Sequence, residues 1–182
     1  MESTVVKLDH RSHILKIPDT YIGSVEKTTE ETWVNVNNEG ENKIQKKLVN
    51  FIPGEYKIFD EIIVNAFDQY VRTTSIKGCE YPVKNIWITI DKEKGEITVK
   101  NDGIGISCDM HEKEGVFIPE LIFGHLLTSS NYTKDKVKHV GGKNGYGAKL
   151  TNIFSKSFYL ETVDHVSQKK YKQQWSDNMT VK

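Results

Sequence analysis

The chain has 182 residues, enough for one domain built around a single apolar core. Its 37% hydrophobic and 27% charged content match a soluble globular protein. The 25 basic and 25 acidic residues cancel, which argues against a domain that grips DNA by charge alone. If the protein works on DNA, another segment or chain is expected to hold the duplex. The apolar runs are only a few residues long, so no membrane span is expected. MESTVVKLDHRSH has no secretory pattern. Cys79 and Cys108 make no disulfide framework and point to a reducing compartment. The lysine clusters at 43–47, 134–143 and 169–172 read as solvated surface.

In chain order, the first 24 residues read as an arm with a short helix near Ser12–Lys16, stopped by Pro18. PDTYIGS is expected to be turn and loop. TWVNVN (32–37) and parts of 43–51 alternate apolar and polar around NNEGEN, a hairpin pattern. Pro53-Gly54 punctuates the chain, and a helix of about four to five turns is expected to follow, to near Ser75. NIWITID and EITVKN, joined by KEKG, predict a second hairpin. PELIFGHLL (119–127) starts with proline at a first helical position. A Gly-, Lys- and Asn-rich loop covers roughly 129–147, with a short helix from Ala148 and strands at 157–163 and 169–175. This pattern predicts an α+β fold. DNMTVK carries no terminating turn, so a cut through a continuing domain is expected.

Within the first long helix, DEIIVNAFDQ places Glu61, Asn65 and Asp68 at i, i+4 and i+7, a narrow polar arc. Ile58 and Ile62 flank it on one side, Val64 and Val71 on the other, with Phe59, Ile63, Ala66 and Tyr70 opposite. A bland surface helix would widen the arc with further charges. The arc is therefore expected in a partly dehydrated crevice, where unpaired carboxylates are costly. Glutamate can activate water, asparagine offers a hard amide oxygen suited to Mg²⁺, and aspartate can hold a water network. A buried polar network tying the helix to the sheet is the alternative reading of the same stripe.

NDGIGI (101–106) follows a strand, and its glycines allow a sharp turn close to a flat ligand. GGKNGYGAK (141–149) packs four glycines before a short helix, so several N–H groups can face an anion. It lacks the GK[ST] ending of a P-loop and the third glycine of a Rossmann fingerprint.

Glu-x-x-x-Asn on a helix, a strand ending Asn-x-Gly-x-Gly and a Gly-rich lid before a helix together resemble the ATP-binding module of the GHKL superfamily. Gyrase, the large heat-shock chaperone, histidine kinases and MutL share that module. IPDTYIGSVE, FIPGEYKIFDEIIVNAFD, IPELIFGHLLTSSNY and GGKNGYGAKLTNIFS closely resemble the ATPase region of eukaryotic-type type II DNA topoisomerases, a form also found in large DNA viruses. The resemblance covers nearly the whole chain. It implies a two-layer α/β sandwich of the GHKL (Bergerat) type, with a mixed, largely antiparallel sheet and helices on one face. Residues 1–30 would be an N-terminal arm or strap, and 31–182 an incomplete ATP-binding domain lacking transducer, cleavage and C-terminal domains.

The resemblance further implies that Glu61 is the general base and that Asn65 ligates Mg²⁺ at the triphosphate of ATP, with Asp68 beside them in the nucleotide site. Asn101 would contact the adenine amino group, while Asp102 takes no part in reading the base. Ser129, Ser130 and Asn131 would meet ribose and phosphate. Gly142, Lys143, Asn144, Gly145, Tyr146, Gly147, Ala148 and Lys149 would wrap the triphosphate. Ile106, Ile122 and Phe123 would line the base pocket, with ordinary core as their alternative. Gln69 departs from the usual asparagine and lengthens the amide arm, and Lys143 replaces a common arginine, losing its fork geometry. The strap tyrosine of relatives has no match before Lys7.

By resemblance, the parent enzyme passes one duplex through a transient double-strand break while ATP closes a homodimer gate. It contacts DNA through domains outside this chain and needs no membrane. Its setting would be intracellular: the nucleus in a eukaryote, the replication site or virion for a virus. A nucleotide-binding and dimerisation module without turnover is a rival reading, and a MutL-like repair ATPase is another. A kinase fits least, because no phosphoacceptor histidine region is evident. The Cys108–His111 pair lacks the second pair a zinc site needs, and the sequons at Asn131 and Asn178 read as chance matches.

Overall fold

A computed structural model describes residues 5–38, 40–128 and 146–182. They group into two compact units, Met1–Lys57 and Ile58–Lys182. No helix among the described residues is long and apolar enough to cross a membrane.

The first unit opens with helix α1 (His10–Lys16), capped by Asp9, whose carboxylate accepts the Ser12 N–H at 3.1 Å. His13 and Lys16 sit in its last turn, where the helix dipole favours positive charge. Where the sequence predicts a loop after Pro18, residues Asp19–Ile22 form one helical turn, α2. The Pro18 carbonyl accepts the Tyr21 and Ile22 N–H groups at 2.8 and 2.9 Å. Proline's fixed φ suits a helix start, so it ends α1 and begins α2. Gly23, at φ +83°, then turns the chain out.

Strands β1 (Thr28–Asn38) and β2 (Glu41–Phe51) pair antiparallel from Thr28↔Phe51 to Asn38↔Glu41. This is the predicted hairpin, longer at both ends. Trp33 stands opposite Lys46, whose ammonium lies 5.4 Å from the indole centroid and 3.4 Å from the Glu31 carboxylate.

Helix α3 runs Pro53–Ser75, ending where expected, but it starts at Pro53 itself, so its 23 residues exceed the expected four to five turns. At its end Thr73 works in two directions: its hydroxyl donates to the Gln69 carbonyl and accepts the Val83 N–H at 3.0 Å. That contact leads the chain back toward the second hairpin, β3 (Ile86–Asp91) and β4 (Glu96–Asn101). Helix α4 (Ile118–Gly124) stops three residues before the predicted Leu127. Leu127 adopts φ +61°, outside the helical region, and the Thr128 hydroxyl binds the Leu121 and His125 carbonyls, each at 2.8 Å. Helix α5 (Gly147–Ile153) and the hairpin β5 (Ser157–Asp164) and β6 (Lys169–Ser176) follow as expected.

The strands bond as three separate antiparallel pairs rather than one continuous ladder among the described residues. Within the second unit, the glycine-rich turn after β4 leads into the segment that adjoins β5. The segment from Ile104 runs beside β5 but bonds its side chains: Ile106 N–H donates to Thr162 Oγ1 at 2.9 Å and Cys108 N–H to Asp164 Oδ2 at 3.3 Å. A Cβ built on Gly105 would overlap the Val163 carbonyl. Only glycine permits that approach.

The second unit's core gathers where α4 and α5 cover β5–β6. Trp175 lies between Phe158, at 6.0 Å, and Gly124, which has no side chain to block the indole. Ile153, Leu150 and Ala148 of α5 are buried in this unit. Asn152, 1% exposed, donates to the Phe123 carbonyl at 3.0 Å and so joins α5 to α4.

Gly105→Ala should lower stability by about 1–3 kcal/mol, the usual cost of overpacking a closed site. Urea unfolding of the variant beside the parent chain checks this, and an unchanged midpoint would refute the close approach.

Candidate functional site

Helix α3 presents Glu61, Asn65 and Gln69 at successive i+4 steps, so all three share one edge. Asn65 Nδ2 donates to the Glu61 carbonyl at 2.6 Å. A carbonyl can only accept, so this bond fixes the amide orientation and leaves Oδ1 as its acceptor pole. Asp68, the third member of the predicted arc, is buried. The apolar side opposite is covered only in part. Ala66 is buried, but Tyr70 is 39% exposed and stacks at 5.6 Å on the exposed Phe67.

The first residue of α5 meets this edge. A Cβ on Gly147 would overlap Glu61 Oε2 and lie 3.7 Å from Asn65 Nδ2. One turn further along α5, the Thr151 hydroxyl donates to the Ile58 carbonyl at 2.7 Å. As α5 advances, its contacts step back along α3. The carboxylate of Glu61 is thus held against the helix start where the predicted Gly-rich loop ends. Tyr146, Gly147, Ala148 and Lys149 are described there, whereas Ser129, Ser130, Asn131, Gly142, Lys143, Asn144 and Gly145 lie outside the described residues.

Lys149 is 5% exposed, and its ammonium donates to the Thr128 carbonyl at 2.6 Å. Burial pulls its pKa down to about 8. It therefore stays mostly charged at neutral pH, and a nearby anion would favour the charged form further.

At the far end of the edge, Gln69 Nε2 donates to the Ile104 carbonyl at 2.9 Å, joining α3 to the NDGIGI turn. Asn101 closes β4 and donates through Nδ2 to the Asp102 carbonyl at 2.9 Å, which leaves its oxygen as an acceptor. Asp102 caps the chain that enters β3. Its carboxylate accepts the Asn85 N–H, the Asn85 side-chain amide and the Lys84 N–H, which hold its pKa below the usual range. With that set of donors, Asp102 has a structural task.

Of the three apolar candidates, Ile106 is anchored by its N–H to Thr162. Ile122 is 38% exposed, and the Phe123 ring lies 6.1 Å from Phe158 in the aromatic core. Phe123 is half-buried and packs its ring beside Phe158. Sequence reasoning passed over Thr162 and Asp164, which carry the 106–108 segment. The available signal was two polar residues on the alternating face that Phe158 and Leu160 begin. Cys108 and His111 are engaged separately: the thiol faces the Ile106 and Lys169 carbonyls, and the His111 ring accepts the Glu114 N–H.

Magnesium typically takes one or two protein oxygens and completes its shell with phosphate and water. One anchored asparagine with its oxygen left as acceptor, beside a carboxylate, fits that donor set. Among the described residues no cluster of three or more His, Cys, Asp or Glu side chains could hold a metal by itself.

The model of the histidine kinase-, DNA gyrase B- and HSP90-like ATPase family matches residues 54–174, a span that contains this whole edge and the α5 start. The chain belongs to this ATPase family. Within it, the DNA topoisomerase 2 of Penicillium chrysogenum is 51% identical over 174 residues, 96% of this chain and 10% of that protein. The DNA topoisomerase 2 of Saccharomyces cerevisiae is 51% identical over 175 residues, 96% of this chain and 12% of that protein. The solved ATPase region of Saccharomyces cerevisiae topoisomerase II superposes with a TM-score of 0.88 at 50% identity, covering 97% of this chain and 44% of that one. The expected GHKL fold is therefore found. The chain spans about a tenth of the length of the topoisomerases it matches.

The lowered pKa of Lys149 has a signed consequence for stability. Between about pH 8 and 10.5 the unfolded chain holds a proton on this lysine that the folded chain has shed. Stability from this group therefore rises with pH across that window. Relative to Lys149→Met, the parent chain should gain up to about 3 kcal/mol between those limits, measured by denaturant unfolding at each pH. Parallel curves would refute a desolvated ammonium.

Proposed function

We propose that this chain is the ATP-binding and ATP-hydrolysing part of a type II DNA topoisomerase. The observation that carries the reading is the approach of Gly147 to Glu61 and Asn65, which puts a carboxylate and an amide at the helix start following a glycine-rich loop. Its support from relatives is the 50% identity to a topoisomerase II ATPase region across 97% of the chain.

In this reading ATP lies along the α3 edge, with the base toward Asn101 and the triphosphate toward α5. Glu61 orients a water and takes its proton as the oxygen attacks the γ-phosphorus, releasing ADP and phosphate. Asn65 would hold Mg²⁺ through its amide oxygen, and Asp68 would accept hydrogen bonds from water beside it. Magnesium, when bound, neutralises charge on the phosphate oxygens. Lys149 adds a desolvated positive charge near the phosphates, where low polarity strengthens its attraction. Asn101 Oδ1 accepts a hydrogen bond from the adenine amino group. Gly142–Gly145 and Ser129–Asn131 complete the lid and ribose contacts.

Residues 1–30 serve as the strap and 31–182 as the nucleotide domain. In the parent, nucleotide closes a homodimer gate, duplex passage uses domains beyond this region, and the setting is intracellular.

Glu61→Gln should retain ATP binding and lose turnover by roughly 10²–10⁴-fold, the usual worth of a positioned base. Gly147→Ala, which forces the carboxylate aside, should also lose turnover. Phosphate release measured beside a nucleotide titration tests both. Full turnover by Glu61→Gln removes Glu61 as the base, and absence of ATP binding by the folded parent chain removes the whole reading.

A further inference from the structure

The edge of α3 continues past the proposed chemistry to a side chain that the reading above leaves without a task. Gln69 is half-buried, and both poles of its amide are engaged. Nε2 donates to the Ile104 carbonyl at 2.9 Å, and Oε1 accepts from Arg72 Nη1 at 3.0 Å. The two partners define the amide orientation independently, because a carbonyl only accepts and a guanidinium only donates. Arg72 thus keeps the Gln69 oxygen occupied and its N–H aimed at the turn.

That turn is closed on its other sides. Ile104 N–H donates to the Tyr81 carbonyl at 2.9 Å, and Asp102 binds the 84–85 backbone. A Cβ on Gly103 would crowd the Val83 backbone at 2.7 Å, and one on Gly105 would overlap the Val163 carbonyl. The remaining direction faces α3, and Gln69 fills it. An asparagine there would be shorter by one bond, about 1.5 Å, and would fall out of reach of Ile104.

We infer that Gln69, locked by Arg72, is a positioning residue that sets the base-side turn Asn101–Gly105 at a fixed distance from Glu61 and Asn65, and so governs discrimination for the adenine base. The inference rests on the nucleotide reading given above. Gln69 touches no reacting atom; it acts through the Ile104 carbonyl on the turn that carries Asn101. Its length also accounts for why a longer amide serves here.

Calorimetric titration of the full chain with ATP, GTP and inorganic tripolyphosphate separates the possibilities. Gln69→Glu cannot donate to Ile104 and would pair with Arg72 instead. Gln69→Asn keeps the amide but not its reach, and Arg72→Ala frees the amide to rotate. Each should weaken ATP about fivefold, the usual worth of one hydrogen bond, and narrow the preference for ATP over GTP. Tripolyphosphate affinity should stay at the parent value. Equal losses for ATP and tripolyphosphate, or an unaltered ATP-to-GTP ratio in Gln69→Asn, would overturn the positioning role and leave the nucleotide site standing. A parent chain that takes up neither nucleotide overturns the site itself.

Discussion

The structure depends on one missing side chain. Gly147 begins α5 in direct contact with Glu61, and any Cβ there would displace the carboxylate. Because α5 is also tied to α3 through Thr151 and to α4 through Asn152, the helix start cannot retreat to make room. The contact fixes where the end of a glycine-rich loop meets an acid on a different helix. Other positions accommodate this one: the Phe158–Trp175 core supports α4 and α5 from behind, and Thr162 and Asp164 hold the neighbouring turn against β5.

Much of this was legible in the residues because local rules and tertiary demands agree. The alternation of IWITID and EITVKN and the proline in the first turn of α4 each follow from backbone chemistry alone. The Glu61–Asn65–Asp68 stripe could be read from its i, i+4, i+7 spacing, but the dehydrated crevice expected for it is found only at Asp68, which is buried, whereas Glu61 is half-buried and Asn65 exposed. The sequence also carried the resemblance to a family, which the family match over residues 54–174 bears out.

What was not legible has equally physical causes. The turn of helix at Asp19–Ile22 arises because proline both ends one helix and starts another, and the sequence pattern alone favours the first role. The early end of α4 depends on the Thr128 hydroxyl binding two carbonyls, a bond no periodicity announces. Between β4 and β5, side chains of Thr162 and Asp164 take the place of backbone partners for 106–108, a substitution no alternation pattern announces. Phe123 suited either a pocket wall or the core, and its half-buried ring beside Phe158 appears only in three dimensions, because apolar residues carry no label for which cavity they face. Gln69 was visible as a departure, but its reach to Ile104 appears only in three dimensions.

The regular geometry of α3 carries a further consequence. Glu61 and Gln69 are eight residues apart on an unbroken helix, which sets their axial separation at about 12 Å. The helix therefore acts as a ruler, with an acid at one graduation and a hold on the glycine turn at the other. In the proposed reading a nucleotide spans this interval, its phosphates at the acid and its base at the turn that Gln69 holds through Ile104.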